Sequence, residues 1–125
     1  MPQLQKISAP EKTAVAAKAA VKAAELLQVS GRELSRILGV SEATMSRIRR
    51  APDAGILHGK PYELALLFVR LYRSLDAITG GDDQASSAWL HAHNELLGGV
   101  PAERILRIDG LVHVLAYLDT RRAPL

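Results

Sequence analysis

Arg47, Arg49 and Arg50 crowd the end of a short stretch that also carries Ser41, Glu42, Thr44 and Ser46. Side chains of these types suit recognition more than bond-breaking. A guanidinium is a planar fork that pairs with guanine or phosphate, and hydroxyls reach phosphates or either kind of base. A carboxylate repels phosphate, so Glu42 fits a helix cap or a reader of cytosine. Arg32 and Arg36, further upstream, add cations able to hold a nucleic-acid backbone. The chemistry on offer is hydrogen bonding to DNA, provided that some element holds these groups along one rigid edge.

The histidines offer less. His91 and His93, read on one helix, point about 200° apart and cannot clamp one metal. His91 and Glu95 are spaced as a surface pair, His113 sits among Val112, Val114 and Leu115 as a partly buried packing residue, and His58 falls in a loop. No nucleophile motif, phosphate-cradling loop or metal constellation is present. Gly80-Gly81 and Gly98-Gly99 read as helix punctuation. The chain has no cysteine, hence no disulfide framework and no thiolate metal site. These features argue against an enzyme, and no cofactor or metal is expected.

What would position the arginines is the run "GRELSRILGVSEATMSRIRR". A helix-turn-helix wedges its two helices together with apolar residues at fixed positions, here Leu34, Leu38, Val40, Met45 and Ile48. It needs a small residue where the second helix crosses, supplied by Ser35, and a glycine at the left-handed turn, supplied by Gly39. All seven requirements are met. Ser30 with Glu33 forms a capping box for the first helix, and Ser41 caps the second. The groove-facing edge then carries Ser41, Glu42, Thr44, Ser46, Arg47 and Arg50, with Arg49 beside it. A plain helical hairpin with solvated arginines, or a helix-turn-helix kept only for protein contacts, are the competing readings. The arginine cluster favours a DNA reader.

The rest of the chain reads as all-α, because Ala, Leu, Arg and Glu dominate and strand-like alternation is absent. An alanine-rich helix spans about Lys12 to Gln28, with Val15, Val21, Leu26 and Leu27 as its larger apolar groups. After the turn-rich Ala51 to Gly55 and a first-turn Pro61, a helix from about Tyr62 to Ile78 aligns Leu64, Leu67, Phe68, Leu71, Leu75 and Ile78, widened by Leu66 and Val69. Shorter helices follow over about Gln84 to Glu95, Pro101 to Arg107 and, past Gly110, Leu111 to Arg121. Trp89 is expected to anchor its helix against the long one, and Asn94 to cap the turn beyond it.

The pattern Trp89-Leu90, Asn94, "LLGGVPAERIL" with Gly98, Gly99 and Pro101, then Gly110 before a closing helix, resembles the C-terminal domain of Xre/MbcA/ParS antitoxins. With the preceding Xre-like unit the resemblance covers roughly residues 14 to 122. It implies an antitoxin that neutralises a co-encoded RES-type toxin, an ADP-ribosyltransferase-like protein that depletes NAD, by binding close to its substrate pocket. Tyr117, Leu118, Arg121, Arg122 and Leu125 are the residues expected to meet that toxin, with an arginine of the tail at the NAD entrance. The apolar anchor of that set is Leu118.

Charge supports two surfaces. Residues 1–60 carry ten Lys or Arg against five Asp or Glu, and residues 61–125 carry six against eight, within a net +3. The expected organisation is a flexible segment over residues 1–13, a DNA-binding unit over 14–60, and a dimerising, toxin-binding unit over 61–125. The expected partners are the toxin, operator DNA of its own operon and a second copy of the chain. Cytoplasmic location, nucleoid-associated on the operator, fits the absence of a secretory signal or a membrane-length apolar run. The rival is a plain repressor whose second half only dimerises; a general nucleoid-packaging protein would need more positive charge.

Overall fold

The computed structural model describes residues 9–122, and side chains over 10–121. Among the described residues the structure consists of seven α-helices, one 3-10 turn and no strand. Expectations for residues 1–8, the Arg122 side chain and Leu125 lie outside the described residues.

Helix α1 spans Ala9–Leu27, starting a little before the expected Lys12. Alanine loses least on entering a helix, so the run is stable without bulky side chains. Its buried face is Ala16, Ala17, Ala20, Ala23, Ala24 and Leu27, spaced by threes and fours. Val15 is 63% exposed, and Val21 is only partly buried. The core side of α1 is therefore built mostly of alanines, with Leu27 as its large fully buried side chain. Small residues face inward so that other elements approach α1 closely, and it packs on helix α4 and the 3-10 turn.

Helices α2 (Gly31–Leu38) and α3 (Glu42–Arg50) follow, each starting where its cap predicts. The Glu33 amide donates to Ser30 Oγ at 3.1 Å, and the Ser30 amide donates to Glu33 Oε1 at 2.9 Å. Gly39 between them adopts φ 71°, a conformation a side chain would penalise. A 3-10 turn at Pro52–Ala54 leads to α4, Gly59–Thr79, with Pro61 in its first turn. This helix buries Leu64, Ala65, Phe68, Val69, Leu71, Ser74 and Leu75. It touches α1, α2, α5 and α7, which makes it the spine of the molecule. Two members of its expected apolar face, Leu66 and Ile78, remain exposed.

Helix α5 spans Asp83–His91, α6 Pro101–Arg104 and α7 Ile108–Arg122. Helix α5 stops short of the expected Glu95. The Asn94 amide donates to the Gly99 carbonyl at 2.9 Å, and the Gly99 amide returns a bond to Asn94 at 3.1 Å. Asn94 Oδ1 accepts the Leu97 amide at 3.1 Å, so the side chain offers the backbone a turn in place of another helical turn. Ties across the bundle are polar as well as apolar. Tyr72 donates to Asp83 Oδ1 at 2.9 Å, and burial together with that bond pushes its phenol up to about 12. Arg70 pairs with Asp119, linking α4 to α7.

One apolar cluster runs from Ala16 to Leu118 and includes residues of both halves of the chain. No described helix is long and apolar enough to cross a membrane.

Candidate DNA-reading face and partner-binding module

Leu34, Ser35, Leu38, Met45 and Ile48 are buried between α2, α3 and their surroundings, and Val40 packs partly against the same core. Ser35 Oγ donates to the Arg32 carbonyl at 2.6 Å, which satisfies its hydroxyl where α3 passes. This wedge sets which side of α3 faces outward. Ser41, Glu42, Ser46, Arg47, Arg49 and Arg50 are exposed, Thr44 is half-buried, and Arg32 and Arg36 are exposed on α2. Among the described residues no carboxylate pairs with any of these five arginines, so their charge is open to a polyanion.

The hydroxyls are partly committed. Ser41 Oγ accepts the Thr44 amide at 3.0 Å and donates to Thr44 Oγ1 at 2.9 Å. Arg47 donates to Thr44 Oγ1 at 3.3 Å, so cap, threonine and arginine form one chain of bonds across the first turns of α3. Arg50 Nε donates to the Ser46 carbonyl at 3.4 Å. Arg49 leans toward the start of α2, where a Cβ on Gly31 would press against its guanidinium. Gly31 thereby lets an α3 arginine lie over the α2 N-terminus.

In the second half, the Trp89 ring stacks on Tyr117 of α7 with centroids 6.1 Å apart and planes at 14°. Its stacking partner thus lies on the last helix, while α5 itself also packs on the long helix α4. Arg121 lies over the Tyr117 ring, 5.1 Å from its centroid. Leu118, expected as a contact for the partner, is instead 1% exposed within the core and is needed by the fold. Gly98 turns at φ 69°. Gly110 does not separate helices but sits in the first turn of α7, where a Cβ would collide with the Arg104 carbonyl. Pro101 opens α6 as expected.

Arg104 is a residue that no sequence motif singles out. It donates to the Gly98 carbonyl at 2.8 Å, its guanidinium lies over Gly98 and Gly99, and its backbone meets Gly110. All three glycines make room for this one residue. Their spacing around an arginine was the available clue, but it means nothing until the turns bring them together. Nearby, the Arg107 guanidinium donates to Asp109 at 3.1 Å and holds its carboxyl below the usual carboxylate range.

The histidines are accounted for individually. His91 Nδ1 donates to the Ser87 carbonyl at 2.8 Å, and His58 Nδ1 to that of Ile56 at 2.8 Å. His93 lies beyond the end of α5 and approaches Glu95 at 3.9 Å, so the expected helical pairing of His91 with Glu95 does not form. His113, expected to be partly buried, is exposed because Leu111, Val114 and Leu115 take the inward positions of α7. Among the described residues no three His, Asp or Glu gather as a metal site.

A capped pair of helices presenting open arginines, joined through a long helix to a glycine-shaped helical module, defines a helix-turn-helix protein with a second helical module. A family model described as the antitoxin Xre-like helix-turn-helix domain matches residues 7–70. A second, described as the antitoxin Xre/MbcA/ParS C-terminal toxin-binding domain, matches residues 74–123. The chain belongs to the Xre-like antitoxins, with a DNA-binding helix-turn-helix followed by a toxin-binding domain. No curated protein matches it.

Proposed function

We propose that this antitoxin neutralises a RES-type, NAD-depleting toxin by covering its active site, and represses its own operon through α3. The observation that carries the reading is the joint presence of an unpaired, exposed arginine edge on α3 and a toxin-binding domain on one spine helix. Arg47 is assigned to a base edge. Arg32, Arg36, Arg49 and Arg50 are assigned to phosphates, with Ser46 available to either. The protein acts by binding alone.

One recognition helix spans only a few base pairs, so a two-fold pair of chains on an inverted repeat supplies both affinity and spacing. The contact between copies is assigned to α4, whose exposed Leu66 lines a groove of 530 Å³ with Val15 of α1. Residues 14–60 are read as the DNA unit and 61–125 as the dimerising and toxin-binding unit.

Tyr117, Arg121, Arg122 and Leu125 are assigned to the rim of the toxin's pocket, with an arginine meeting a phosphate-binding or carboxylate-lined site. The test is co-purification with the toxin encoded beside it, together with rescue of cells that express that toxin. Deleting residues 120–125 is expected to abolish rescue while operator binding persists. Full rescue by the shortened chain would refute the tail's role.

A further inference from the structure

Six large apolar side chains are left exposed among the described residues: Val15, Leu66, Ile78, Leu96, Ile108 and Val112. Four of them fall within the toxin-binding segment matched over residues 74–123. Single exposed apolar side chains are ordinary on any surface. Ile108 and Val112 are different, because they stand one turn apart on α7 and so share a face. The next position on that line, Ala116, is also exposed. The adjoining side of the helix is already consumed: Leu111, Val114, Leu115 and Leu118 are all buried. The fold therefore uses one face of α7 and leaves a second apolar line, 63% exposed at Ile108 and 50% at Val112, with no intramolecular purpose.

The charges along this line are answered within the chain. Asp109 pairs with Arg107, and Asp119 pairs with Arg70. A partner consequently meets an apolar strip with neutralised borders, which fits a shallow apolar depression and gives little to a charged surface. The expected tail contacts differ in kind: Leu118 is buried, and Tyr117 is half-covered between Trp89 and Arg121. The tail can block a pocket, yet it holds few free apolar groups among the described residues to anchor there.

We infer that the outer line of α7, Ile108-Val112-Ala116, is the principal apolar docking strip for the toxin, seating the module while the tail reaches the pocket. This rests on the antitoxin reading above. Both larger side chains are exposed, so polar replacement leaves the core intact, and an aspartate at position 108 even suits the start of a helix.

The test co-expresses the full-length Ile108→Asp/Val112→Asp chain with the toxin encoded beside it. Co-purification and affinity are measured, with operator binding and thermal unfolding as controls on the fold. Affinity for the toxin is expected to fall about tenfold or more, with operator binding unchanged. The apolar pair Ile108→Val/Val112→Ile is expected to bind as the parent does. Undiminished toxin binding by the aspartate variant overturns the strip but leaves the antitoxin reading standing. Failure of the parent chain to bind the toxin overturns both. Loss of self-association in the aspartate variant, with toxin affinity retained, reassigns the strip to contacts between copies and also overturns the proposal.

Discussion

Arg47 stands at the end of the bond chain on α3, with Thr44 between it and the Ser41 cap. That arrangement limits how far the guanidinium wanders, which would lower the entropy lost on meeting the base edge proposed for it. Arg47→Ala is accordingly expected to weaken operator binding by about 1–3 kcal/mol, measured by titration at fixed salt because the phosphate contacts make affinity salt-dependent. Unchanged affinity would remove Arg47 from the base contacts. The Ser41 hydroxyl is already engaged in capping, through the Thr44 amide and Thr44 Oγ1. The cap, the turn glycine and the wedge residues were readable from the sequence because each acts within a few residues of itself. Arg104 was not readable, because the atoms that give it meaning come from two separate turns.

Among the elements, the joint between α6 and α7 is the most demanding. Gly110 lies within α7, and the Arg104 backbone occupies the space its Cβ would take. Gly110→Ala must push α6 and α7 apart, and backbone has little freedom to yield. The expected loss is about 1–3 kcal/mol of unfolding free energy, read from urea denaturation. An unchanged midpoint would mean that the two helices separate without cost. The starts of α2, α3 and α6 were legible, because Ser30, Ser41 and Pro101 announce them, whereas α7 begins at Ile108, ahead of the glycine expected to precede it. The end of α5 was not, because it depends on Asn94 pairing with Gly99 across a turn. Likewise the alanines of α1 were recognisable as helix, but not as the face that admits α4.

At the scale of the whole molecule, the two family matches meet within α4, one ending at residue 70 and the other starting at 74. A helix cannot melt at its centre without loosening both of its ends, and here both ends feed one apolar cluster. Unfolding is therefore expected to be a single transition. Trp89 fluorescence, which senses the second half, should coincide in urea with far-ultraviolet circular dichroism, which senses every helix. Two separate midpoints would show that the DNA-reading and toxin-binding units unfold independently. The amino-acid order by itself determined the all-helical class, the helix-turn-helix and the antitoxin resemblance, since these rest on local periodicity, caps and short spacings. Only tertiary packing decided that Leu118 is core, that Trp89 stacks on Tyr117, that Arg104 sits on its glycines and that Ile108 and Val112 stay outside. Helical periodicity says which side chains share a face, but which face is buried depends on neighbours brought from far along the chain.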